Sequence, residues 1–132
     1  MIRIEVKYLE ELYYPSLTHI FEFRDKNDER IFFILIQIIQ TKLSKDLKIN
    51  VNEVLAIYCS HIVNELRAKT CVSDIQEKVK KLLSYKNVMI GVPEMLKNTN
   101  FTVQVDNIPK TLIILKEPIK IMQYTIIEIT SI

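Results

Sequence analysis

VMIGVPEMLKNTNFTVQV (88–105) contains the change of pattern that decides the fold. Upstream, apolar residues recur every three to four positions, as in helices laid on a core. Downstream, in FTVQV (101–105), they alternate, as in a strand with one buried face. The stretch also carries the one glycine among 132 residues, Gly91, with Pro93 two positions later. Glycine accepts backbone angles that other residues resist, and proline suits the first turn of a new helical piece. A short helix-turn is expected at 88–96, joining a helical half to a β half.

Working outward, FTVQV, DNIPK and TLIIL (111–115) read as a β-hairpin. The β-branched run IKIMQYTIIEI (119–129) predicts a further strand. Towards the N-terminus, Ser73 and Gln76 have capping-box spacing, opening a helix that ends near Tyr85. Ile75, Val79, Leu82 and Leu83 form its inner stripe, with Lys78, Lys80 and Lys81 outside. Asn50 and Glu53 predict another capped start, for a helix running to Arg67 with Leu55, Cys59, Ile62 and Leu66 inward. Residues 29–44 read as a helix apolar nearly all round, expected in the middle of the core. IRIEV and LTHIFEF predict two strands near the N-terminus, with Pro15 breaking what lies between and RDKNDER (24–30) as a polar connector. The class is α+β: three to four helices followed by a C-terminal hairpin, with β structure expected in both terminal extensions.

A chain of this length suits one domain with a core of its own. Hydrophobic residues make up 48% and charged residues 26%, and the net charge is +2. That balance gives no pull towards nucleic acid or an anionic membrane. The most apolar stretch, IFFILIQII (31–39), is too short for the ~20 residues of a membrane span. The N-terminal MIRIEVKYLEE has charges where a signal peptide needs an apolar run. Cys59 and Cys71 form no CxxC and are expected to be reduced in a cytoplasmic protein. Few glycines with many isoleucines and lysines fit either a thermophile or an AT-rich genome.

No constellation announces catalysis. His19 and His61 are the only histidines. Cys59 and His61 suggest a metal pair, but two residues apart on a helix they point about 200° from one another, and a zinc site wants four ligands. Cys–His nucleophilic chemistry needs a meeting of side chains that this spacing does not provide. Glu53, Glu65 and Glu94 stand singly, as solvated or capping carboxylates do. No phosphate-cradling glycine loop and no HExxH is present. The residues alone point to binding or assembly.

VMIGVPEML resembles the VMxGVPEM segment of the urease gamma subunit family. Upstream, DLKINVNEVLAIYCSHIVNELR is similar to the family's GLKLNxPEAVALISxxIxExAR. Leu47, Lys48, Asn50, Glu53, Ala56, Ile62 and Arg67 fall on family positions. TCVSDIQEKVKKLL follows the family's KTVxxLMxxGxxVL through Val72, Ile75 and Leu83, with no gap between Leu47 and Met95. FTVQVDNIPKTLIILKEPI resembles the family hairpin up to Pro118 and Ile119, with a one-residue shift at the turn. Departures are Val51 for the proline after the capping Asn, Lys69-Thr70 for a Gly-Lys turn, Val79 for a glycine, and Ile108-Pro109 for the hairpin's Asp-Gly. On this reading residues 29–119 are the gamma-like domain, 1–28 an N-terminal extension and 120–132 a C-terminal one.

The resemblance implies a structural subunit of an enzyme that hydrolyses urea to ammonia and carbamate. The two nickel ions of that enzyme are held by the alpha subunit, so no catalytic residue, metal ligand or cofactor is expected in this chain. The implied partners are the alpha and beta subunits, in a trimer of heterotrimers. Asn50, Glu53, Arg67, Val88, Met89, Gly91, Val92, Pro93, Glu94, Met95 and Pro118 are the expected structural or interface residues. Such a subunit keeps apolar surface for its partners. The alternative is a free-standing, homo-oligomeric interaction module of the same fold without urease activity.

Overall fold

The alternation in IRIEVKY gives a strand, β1 (Ile2–Tyr8), with Ile2, Ile4, Val6 and Tyr8 buried on one side. In the computed structural model, which describes residues 1–9 and 16–120, β1 lies second in a four-stranded antiparallel sheet. It pairs with β2 (Leu17–Phe23) from Ile2↔Phe23 to Tyr8↔Leu17. On its other side it pairs with β3 (Asn98–Val105), starting at Ile2↔Val105. β3 in turn pairs with β4 (Thr111–Lys116), giving the order β2-β1-β3-β4. The N-terminal strands thus extend the C-terminal hairpin into one sheet. The strand expected within 120–132 falls, but for Lys120, outside the described residues.

Among the described residues, four helices cover the inner face: α1 (Lys26–Ser44), α2 (Val51–Arg67), α3 (Val72–Val79) and the single turn α4 (Val92–Met95). α1 packs on β2, α2 on β3 and α3 on β4, so the first three cross the sheet in chain order. α2 is the central one. Leu55, Cys59, Ile62 and Leu66 are buried as its spacing predicts, with Val54, Ala56, Tyr58 and Val63 beside them. Its two ends match the sequence reading.

α1 does not lie in the middle of the core. Only Ile36 and Ile39 are buried, while Ile31, Phe33, Ile34, Leu35 and Ile38 are exposed. The physical reason is position: among the described residues α1 stands at the end of the helix layer and has a helical neighbour on one side only. Its apolar residues exceed what that one-sided packing covers.

α3 also departs from expectation. Its N-cap is Cys71, which makes no side-chain capping bond, and Ser73 lies inside the helix. The helix stops at Val79, and a 3-10 turn, Tyr85–Asn87, follows. There Ser84 and Asn87 bond to each other, the local competition that keeps serine and asparagine out of helix interiors.

Two connections keep the backbone of a glycine without the glycine. Asp46 and Lys69, which stand where the resembling pattern has Gly, have φ of 58° and 62°. After α2, the Lys69 N–H donates to the Leu66 carbonyl and the Thr70 N–H to the Glu65 carbonyl, both at 3.0 Å. That is a Schellman ending with lysine in the left-handed position.

Candidate functional site

The 88–96 segment is a braced turn with an apolar tip. The Ile49 N–H donates to the Asn87 carbonyl at 3.0 Å, and the Met89 N–H to the Ile49 carbonyl at 2.9 Å. These bonds hold Val88 beside Ile49 as a parallel bridge to the α1–α2 connection. Gly91 then takes φ 91°, turning the chain into α4 with Pro93 in its first turn. Val88, Val92, Pro93 and Leu96 are buried and anchor the turn. Met89 is half exposed and Ile90 fully exposed, at 100%. Glu94 is also at the surface, and Leu47 is exposed in the neighbouring connection. Ile90 thus stands clear of the core on a turn fixed from both sides.

The remaining expected residues secure this framework. Met95 is half-buried and its carbonyl accepts the Leu9 N–H at 3.1 Å, tying the turn to the end of β1. Pro118 is buried behind β4, where the Glu117 N–H donates to the Lys97 carbonyl. At the start of α2, the Asn50 side chain accepts the Glu53 N–H and the Glu53 carboxylate accepts the Asn50 N–H. Glu53 also accepts the Lys42 ammonium at 2.8 Å, joining the end of α1 to the start of α2. Burial works against the Glu53 charge, but Lys42 and the Asn50 N–H prevail and hold its carboxyl below the usual range.

Arg67 gathers three segments. Its guanidinium donates to Asp106 at 3.1 and 3.3 Å and to Glu29 at 2.7 Å. The N-terminal ammonium lies 3.6 Å from the same Asp106 carboxylate. The end of α2 is thereby fixed to the first turns of α1, the β3–β4 turn and the start of β1. The groove above this cluster has a volume of about 830 Å³ and is lined by Glu29, Phe33, Val63, Asn64, Arg67 and Asp106 among others. Asp106 and Lys42 were invisible as partners in the sequence, because they lie 39 and 11 residues from the groups they meet.

Among the described residues nothing forms a catalytic constellation. The Cys59 thiol is enclosed, and burial pushes its pKa well up, away from a thiolate. The nearest carboxylate oxygen to His61 Nε2 is that of Glu65, at 3.8 Å, and His19 stacks on Phe21. Among the described residues no three His, Cys, Asp or Glu side chains gather as metal ligands would. No helix among the described residues is long and apolar enough to cross a membrane.

A family model described as "Urease, gamma subunit" matches residues 22–119, close to three-quarters of the chain. The chain belongs to the urease gamma subunit family. Those residues contain all four helices, the braced turn and the β3–β4 hairpin, while β1 and most of β2 precede them. A protein of Halalkalibacterium halodurans named "Urease subunit gamma" is 33% identical over 70 residues, which cover 52% of this chain and 70% of that protein.

Proposed function

We propose that this chain is a structural and assembly subunit of a cytoplasmic, nickel-dependent urease, which hydrolyses urea to ammonia and carbamate. The observation that carries the reading is the apolar tip, Met89–Ile90, held out on the segment that most resembles the family. An alpha or beta subunit receiving that tip would bury surface that water now covers. The chemistry would belong to the alpha subunit, where bound nickel would activate water for attack on urea. The role of this chain is to brace alpha and beta in a trimer of heterotrimers. Asn50, Glu53, Arg67, Gly91 and Pro93 shape the scaffold behind the tip, while Met89, Ile90 and Glu94 are the contact residues.

The test is co-expression with the alpha and beta subunits of the same source, followed by sizing and a urea assay with nickel. The expected result is one large complex that releases ammonia only when this chain is present. Ile90→Asp should release the chain from the complex while its circular dichroism stays unchanged. Alpha and beta that assemble and work without this chain would overturn the reading.

A further inference from the structure

β2 forms one border of the sheet, and among the described residues no strand pairs with its outer side. The opposite border is partly capped from within: the Gln76 side-chain oxygen on α3 accepts the Ile114 N–H of β4 at 3.0 Å. An uncapped edge is a template for another strand unless charge, proline or a bulge blocks it. LTHIFEF has no proline and one charge, Glu22. Its pairing with β1 runs unbroken over seven residues, without a bulge.

The helix above that edge carries a second unpartnered surface. Phe32 of α1 points down onto Phe21 and Phe23, with ring centroids 5.9 and 4.6 Å apart. Phe33 lines the groove shared with α2. At 100° per residue, Ile31, Leu35 and Ile38 then lie on the flank facing away from α2. All three are exposed. Among the described residues, one side of the molecule therefore presents unpaired backbone with a row of aliphatic side chains above it.

We propose that this side binds a second copy of the chain about a twofold axis, with β2 antiparallel to β2 and α1 beside α1. A partner must supply a strand and an aliphatic helix flank stacked in the same two layers, and the chain itself carries that pair. Full overlap of Leu17–Phe23 sets Ile20 opposite Ile20, His19 opposite Phe21 and Thr18 opposite Glu22. No like charges meet in that register. The His19–Phe21 contact, 4.3 Å between ring centroids within one strand, is repeated across the seam. The result is a closed, isologous dimer with an eight-stranded sheet. It does not rest on the urease reading: it is argued from the edge of β2, most of which precedes the family match, and from the exposed flank of α1, which lies within it.

Sedimentation velocity of the full chain over a wide concentration range tests this. A reversible dimer is expected. Ile20→Lys, which sets like charges directly opposite, and Leu35→Glu, which buries an unpaired charge among aliphatic side chains, both at exposed positions, should each raise its dissociation constant by at least about tenfold. Ile20→Cys in a Cys71→Ser background should oxidise to a covalent dimer, while Glu22→Cys in the same background should not. A full chain that stays monomeric at every concentration overturns the proposal. A dimer untouched by Ile20→Lys and Leu35→Glu overturns it equally. So does a covalent dimer that forms with Glu22→Cys but not with Ile20→Cys.

Discussion

Gly91 and Lys69 hold left-handed backbone with opposite consequences. Gly91 sits at φ 91°, and a Cβ built there would meet nothing within 4 Å. The cost of Gly91→Ala is therefore backbone strain alone, about 1 kcal/mol, seen as a lower urea midpoint. Lys69 already carries such strain at φ 62°, in the terminal position where helices most often place glycine. Lys69→Gly should stabilise the protein by about 0.5–1 kcal/mol, the relieved strain exceeding the extra freedom of glycine in the unfolded chain. Equilibrium urea denaturation checks both, and a destabilised Lys69→Gly would mean that the turn is held by its neighbours rather than by its own preference. The Gly91-Pro93 pair was legible in the sequence because glycine and proline act on the backbone locally. The strain at Asp46 and Lys69 was not, because neither residue type announces it. Only the glycines of the resembling pattern marked those positions.

Capping decides which elements could be read from sequence. α2 is bounded by groups within its own ends: the Asn50–Glu53 box at the start and the Schellman turn at the finish. The box is written in consecutive residues, so the start of α2 was predictable from local chemistry, whereas the turn that ends it rests on a lysine that does not announce itself. Asn50→Ala removes one side of the box and should cost about 1 kcal/mol. It should lower the urea midpoint without changing the m-value, as a local loss that leaves the buried surface intact. Glu53→Gln offers a contrast, since it keeps much of the box but weakens the bond to Lys42. α3 misled because Ser73 and Ser84 present similar capping patterns, and only the second is used, in a 3-10 turn. α1 misled for a different reason. Its apolar residues specify a helix that must be covered, but not by what. The sheet and α2 cover one side, and Ile31, Ile34, Leu35 and Ile38 remain exposed.

At the scale of the molecule, the sheet and helices are joined at their edges by charge as well as by the common core. Arg67 closes three segments through Glu29 and Asp106. Both Arg67 and Asp106 side chains are more than a third exposed, so solvent screens much of their attraction. A two-bond guanidinium–carboxylate contact nonetheless exceeds an ordinary surface pair. Arg67→Ala should cost about 1 kcal/mol at neutral pH. Its hydrogen bonds to Asp106 hold that carboxyl below the usual range, against a smaller opposing effect of desolvation. A carboxyl whose pKa falls on folding stabilises the native state fully above its unfolded value, about 3.9. That contribution is lost as pH falls through the lowered folded value. The melting-temperature gap between wild type and Arg67→Ala should therefore be constant from pH 7 to about 5 and narrow steadily below about 4. High salt at pH 7 should narrow it as well. A gap that persists unchanged at pH 2 would mean that Arg67 acts through the packing of its aliphatic stem against the groove rather than through its charge.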